Sequence, residues 1–195
     1  MSRGADALPS RAHRRFLRLL APTRSVAEQT EPYVPLVGIV LDRSLRSVLE
    51  MHLATAGQLR SGILLGSRQA ETLHVRTLLP AGYPPFLADL HALDMDAGYV
   101  LGAVDALRLT SGESWDWVGQ WVMPADGLVP GDAWVQWACH EATGRALMDV
   151  DTPLLVFGRS SERVEVQAWA ADPGGARNDC RELTVTWMGS LGIGV

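Results

Sequence analysis

Trp117-Val118-Gly119-Gln120-Trp121-Val122-Met123-Pro124, followed a few residues later by Pro130-Gly131-Asp132-Ala133-Trp134, is the segment on which the reading of this chain turns. From Trp115 to Val122 the residues are mostly branched or aromatic, the composition of a strand. Pro124 stops it, because proline has no N–H to give a ladder. Ala125 to Gly131 is a Gly/Pro loop. Asp132 to Met148 then fits a helix, with Asp132 placed to cap it. A strand therefore runs through a short loop into a helix.

The flanking sequence adds alternating elements. Tyr33 to Leu41 reads as a buried strand and Asp42 as the cap of a helix carrying Leu45, Val48, Leu49, His52 and Leu53, with Gly57 after its end. Leu59 to Gly66 and Thr72 to Leu79 read as two strands joined by the turn Ser67–Glu71. Pro80 to Pro85 reads as a loop. Asp94 or Asp96 starts a helix to about Thr110, with Val100, Leu101, Val104 and Leu107 facing inward. Pro153–Gly158 and Arg163–Ala170 form a hairpin, and Leu183–Met188 is a last strand before a Gly-rich tail. This mixed order predicts a single α+β (mixed α/β) domain on a mixed sheet over residues 32–195. Residues 1–31 are expected to form a basic, partly disordered arm, with one amphipathic stretch from Arg11 to Leu20.

Composition narrows the function classes. The chain has 195 residues, 47% of them apolar, and no apolar run long enough for a membrane helix. No secretory h-region is present, and the two cysteines, Cys139 and Cys180, do not make a disulfide scaffold, so a reduced, cytoplasmic protein is expected. The net charge is -5. Residues 1–31 hold six arginines against Asp6, Glu28 and Glu31, a net of +3, which leaves -8 on the rest. An acidic body argues against nucleic-acid binding. All 17 basic residues are arginine. Codon bias accounts for this; the alternative is work beside a system that conjugates proteins to lysine amines.

Three local sequences, taken in order, resemble the JAB/MPN family, called JAMM where it carries zinc. Ser61-Gly62-Ile63-Leu64-Leu65-Gly66 is similar to the family's E-x-x-G-x-L-x-G strand. Gly119-Gln120-Trp121-Val122-Met123-Pro124 is similar to the bacterial G-E-W-H-x-H-P, and Pro130-Gly131-Asp132-Ala133-Trp134 to P-S-x-x-D. The resemblance spans roughly residues 33–170. It implies a cytidine-deaminase-like fold, a central mixed β-sheet flanked by helices.

In active members two histidines and an aspartate hold zinc and leave room for a water, whose pKa the metal lowers. A glutamate moves protons and a serine stabilises the oxyanion. The matching positions here are Leu59 for the glutamate, Trp121 and Met123 for the histidines, Gly131 for the serine and Trp134 for the aspartate. A second register, taken forward from Gly119, gives Val122, Pro124, Asp132 and Val135. Neither register contains a histidine. The resemblance thus implies a degenerate, zinc-less member whose metal pocket has been refilled by large apolar side chains, with no catalytic residue, metal or cofactor.

Such a member is expected to act as a scaffold or binding subunit. Its partners would be an active JAB/MPN subunit, a ubiquitin-like protein or a conjugation enzyme, in a bacterial conjugation or defence pathway; a homodimer stays open. Trp115, Trp117, Trp121, Trp134 and Trp137 are expected around the former site, and Trp115, Trp117 and Trp137 are the candidate partner contacts. Two alternatives are an active peptidase with ligands moved to Asp126, Asp132 and His140, and a sensor of small molecules or peptides using a tryptophan-lined cleft. Cys139, His140 and Glu141 follow one another on a helix and point about 100° apart, which suits no shared centre. His52, His74 and His91 lack ligand spacing. Gly62, Gly66 and Gly119 read as close approaches between strands.

Overall fold

The computed structural model of the chain describes residues 34–54, 60–82, 93–111, 115–161, 163–174 and 179–188. The arm over residues 1–31, Gly57, Leu59, His91 and the Gly-rich tail after Met188 lie outside them. Among the described residues there are seven strands, β1 Gly38–Leu41, β2 Arg60–Gln69, β3 Thr72–Pro80, β4 Asp116–Met123, β5 Leu154–Ser160, β6 Arg163–Ala171 and β7 Cys180–Trp187, and three helices, α1 Leu45–Ala54 after β1, α2 Ala97–Ser111 after β3 and α3 Asp132–Gly144 after β4.

The strands do not form an open sheet. They close into a barrel in the order β1-β3-β2-β4-β5-β6-β7, with β7 returning to β1. The pairs β1–β3, β1–β7 and β4–β5 are parallel; β2–β3, β2–β4, β5–β6 and β6–β7 are antiparallel. This corrects the expected central sheet flanked by helices, and the JAB/MPN and JAMM-like description that went with it. The physical reason is β1. It has a parallel neighbour on each side, with Gly38 in register with both Thr72 and Thr184, so the last strand has somewhere to pair and no edge is left.

Alternation along the strands then separates two cores. The inner one draws on every strand, including Ile39, Leu64, Val75, Trp121, Phe157, Ala168 and Leu183, and it takes Leu45, Leu49 and Leu53 from α1. Those leucines recur every four residues, one face of a helix, and that face packs on the inner cluster. The outer core lies between the β2–β4–β5 wall and the other two helices, with Ile63, Leu65, Trp117 and Val122 against Val100 and Val104 of α2 and Val135, Ala138, Cys139 and Ala142 of α3. Among the described residues, no helix is long and apolar enough to cross a membrane.

Local chemistry sets most element ends. Asp42 Oδ1 accepts from the Ser44 N–H at 2.9 Å and Asp96 Oδ1 from the Tyr99 N–H at 3.0 Å, which cap α1 and α2. Asp132 does not cap α3. Gly131 holds that position without a side-chain bond, and Asp132 adds its charge to the first turn. Helix α3 stops at Gly144, short of the expected Met148, where Ala146 turns to a φ of 55° and the Leu147 N–H bonds back to Ala142 O. The first strand is shorter than its apolar run: only Gly38–Leu41 pairs, and Val34 and Val37 are exposed.

Candidate functional site

Strand β4 splits the residues that the sequence places around one pocket. Leu64 pairs with Gly119 and Leu65 with Trp117, so Val118 is an extra residue and the alternation slips. Val118, Trp121 and Met123 join the inner core, while Trp117 and Val122 join the outer one. Trp121 is fully buried. Its indole N–H donates to Leu79 O at 3.0 Å, and its ring lies 5.2 Å from His52 and 5.3 Å from Phe157. Met123 is fully buried in the same cluster. Trp134 packs on the opposite side of the wall, against the outer core. Gly131 is exposed, with no atom near the place a Cβ would occupy. These positions are therefore not a plugged pocket. Trp121 and Met123 are barrel core in their own right, and the remaining two sit across the wall from them.

The candidate contact residues also separate. Trp117 is 2% exposed and its indole N–H is taken by Gly119 O at 2.8 Å, so it offers no surface to a partner. Trp115 is half-buried against the outer core. Trp137 is 41% exposed and meets Trp134 edge-on at 5.6 Å. The alternative ligand set does not assemble either. Asp126 Oδ1 accepts from the Leu128 N–H at 3.0 Å within its own turn. Among the described residues, no three His, Cys, Asp or Glu side chains group so as to hold an ion.

A cleft of about 820 Å³ opens where α3 leaves the barrel wall. Asp132, Val135, Gln136, Cys139 and His140 line it from the helix; Trp169, Asp172, Asp179 and Cys180 line it from the end of β6 and the start of β7. Small residues bring the helix close: Ala138 and Ala142 are fully buried, and the buried Cys139 thiol shares a hydrogen bond with Cys180. The Asp172 N–H donates to Asp179 O at 2.8 Å, which ties the β6–β7 connection together and sets both carboxylates at one rim. The buried indole N–H of Trp169 has no hydrogen-bond partner. Among the described residues, three carboxylates and no arginine line this space, a balance that favours cationic groups.

The cleft chemistry suits binding better than bond breaking. Burial, and then Cys180, push the Cys139 thiol far up from its ordinary value. Burial and then Asp179 also raise Cys180, against a lowering from its bond to Cys139. Both stay protonated, and a thiol is a poor nucleophile beside a thiolate. His140 is exposed on the same helix and points away from Cys139 by the helical step. Sequence reasoning missed Trp169, Asp172 and Asp179, which it left in a hairpin and a turn. One signal was available: Cys139 and Cys180 are the two cysteines of the chain, and they meet at this cleft.

No family model and no curated protein matches the chain. The fold, however, has a solved likeness. The solution structure of a protein from Desulfitobacterium hafniense, a structural genomics target, superposes with a TM-score of 0.50 at 17% identity, over 76% of this chain and 92% of that one. At that identity the likeness concerns the fold alone.

Proposed function

We propose that this chain is a non-catalytic binding domain whose cleft between α3 and the β6–β7 end takes a segment of a protein partner carrying arginine and large apolar side chains. The observation that carries this reading is a cleft lined, among the described residues, by the carboxylates of Asp132, Asp172 and Asp179 and by the Trp169 ring. Asp132, Asp172 and Asp179 supply charge for guanidinium groups, which pair well with carboxylates. Trp137, on the neighbouring strip of α3, adds an exposed aromatic anchor held against Trp134.

The protonated thiols support a role without chemistry. The scaffold part of the sequence-based expectation is kept. The ubiquitin-like pathway came with an open, helix-flanked sheet that the closed barrel replaces, and it is not part of this proposal.

Fluorescence anisotropy tests the reading. A short peptide of arginine and leucine is titrated into the full chain beside a control with glutamate in place of arginine. The basic peptide is expected to bind, and the pair Asp132→Arg and Asp172→Arg to weaken it by about tenfold. Equal affinity for both peptides, or no binding of either, would refute the proposal.

A further inference from the structure

The chain has two cysteines, and the fold brings them to one point. Forty residues lie between Cys139 and Cys180. Cys139 sits on the buried face of α3 with Val135, Ala138 and Ala142, packed on the barrel wall. Cys180 is the first residue of β7, in register with Ala171 of β6. Both side chains are thiols, both line the space between helix and strands, and the two share a hydrogen bond. Side chains that already point at one another meet the directional requirement of a disulfide.

The two thiols are not equivalent. Cys139 is 1% exposed, whereas Cys180 is half-buried, so a reagent entering from solvent meets Cys180 first. Burial raises both thiols; the contact between them then raises Cys139 further and lowers Cys180. That is the polarity of a Cys139 S–H donating to the Cys180 sulfur. Cys180 is therefore placed to attack and Cys139 to resolve.

We propose that Cys139 and Cys180 are a redox modification site, which a small dialkyl disulfide of the glutathione class oxidises to an intramolecular disulfide that pins α3 to the start of β7. Cys180 loses its proton to solvent, and its sulfur attacks one sulfur of the reagent. The reagent's S–S bond breaks, and one small thiolate leaves and takes up a proton. Cys139 then loses its proton, and its sulfur attacks the Cys180 sulfur and expels the second small thiol. Two protein thiols are oxidised, one disulfide is reduced to two thiols, and the protons balance. Excess small thiol runs the exchange backwards and restores the pair. The closed loop takes in β5 and β6 as well as the end of α3, so the cross-link removes much of the unfolded chain's freedom. The cross-link requires nothing of what the cleft holds.

The test incubates the full native chain with excess oxidised glutathione and reads intact mass, peptides linked without reduction, and the melting temperature. The expected product has lost two hydrogens, joins the Cys139 and Cys180 peptides, and melts higher by roughly 10 °C; dithiothreitol reverses all three changes. In Cys139→Ala a glutathione adduct is expected to persist on Cys180, and Cys180→Ala is expected to gain neither adduct nor cross-link. Several outcomes overturn the proposal: wild-type thiols that stay reduced, a glutathione adduct that Cys139 never resolves, or a link that joins two chains. A link that forms only in urea, or that lowers the melting temperature, overturns it as well, because α3 and β7 would then not hold the two sulfurs ready to join.

Discussion

The half-buried imidazole of His52 on α1 meets the buried indole of Trp121, ring centroids 5.2 Å apart and planes inclined by 43°. Arg60 Nη1 lies 3.5 Å from His52 Nδ1. Burial first, and then the Arg60 charge, hold the His52 imidazole below its ordinary value. The unfolded chain, with an imidazole near pH 6.5, therefore takes up the proton first as pH falls. The His52 contribution to stability is full above that value and is lost as pH drops through it toward the lower folded value. The urea midpoint is expected to fall from neutral to mildly acid pH in the wild type, and more gently in His52→Gln. Identical slopes would show that His52 does not titrate with folding.

Trp121→Ala is expected to cost about 3–5 kcal/mol, because it empties the centre of the inner core and leaves Leu79 O without its donor. The pair Trp121→His and Met123→His creates no metal centre, since Gly131 and Trp134 belong to the other side of the wall. Calorimetric melting with and without added zinc checks this. A variant that melts no lower than wild type and gains stability from stoichiometric zinc would contradict the placement.

Gly62 is the position that lets the Trp121 edge reach Leu79. A Cβ there would stand 1.9 Å from Leu79 O and 2.6 Å from Trp121 Nε1. Gly66 makes a similar approach to His74 O. Gly62→Ala forces backbone or indole to move and is expected to destabilise by about 1–3 kcal/mol. A neutral substitution in a urea melt would mean that the β2–β3–β4 contact is looser than this geometry.

Trp137→Ala separates binding from stability. With 41% of the residue exposed, its loss forfeits chiefly the edge contact to Trp134 and should cost about 0.5–1.5 kcal/mol. Binding of the arginine–leucine peptide should weaken by clearly more than stability suffers. Unchanged peptide affinity would remove Trp137 from the site.

Cys139 should resist alkylation by iodoacetamide at mildly alkaline pH in the folded chain, since burial and Cys180 keep its thiol protonated. Both cysteines should label readily in denaturant. Rapid labelling of native Cys139, followed by peptide mass spectrometry, would show that α3 opens away from the barrel.

Much of the local structure can be read along the chain. The strand–loop–helix from Asp116 to Gly144, the β5–β6 hairpin around Ser161 and the caps Asp42 and Asp96 follow from proline, glycine, carboxylate and alternation signals that act over a few residues. Trp121 and Met123 are also apolar in the sequence for a plain reason: they are core. The site was not legible in the same way. Trp169, Asp172, Asp179 and Cys180 lie 25 to 36 residues beyond the end of the helix that faces them, and nothing in their own neighbourhood marks them.

Sequence alone thus determined where strands and helices form, because those preferences are local. Tertiary structure alone decided that β7 returns to β1, that the extra residue Val118 turns Trp121 inward and leaves Trp117 outside, and that two acidic turn residues meet α3 across a cleft. Closure, register and long-range apposition depend on pairings between distant segments. Their free energy comes from burial and hydrogen bonding that exist only once those segments meet.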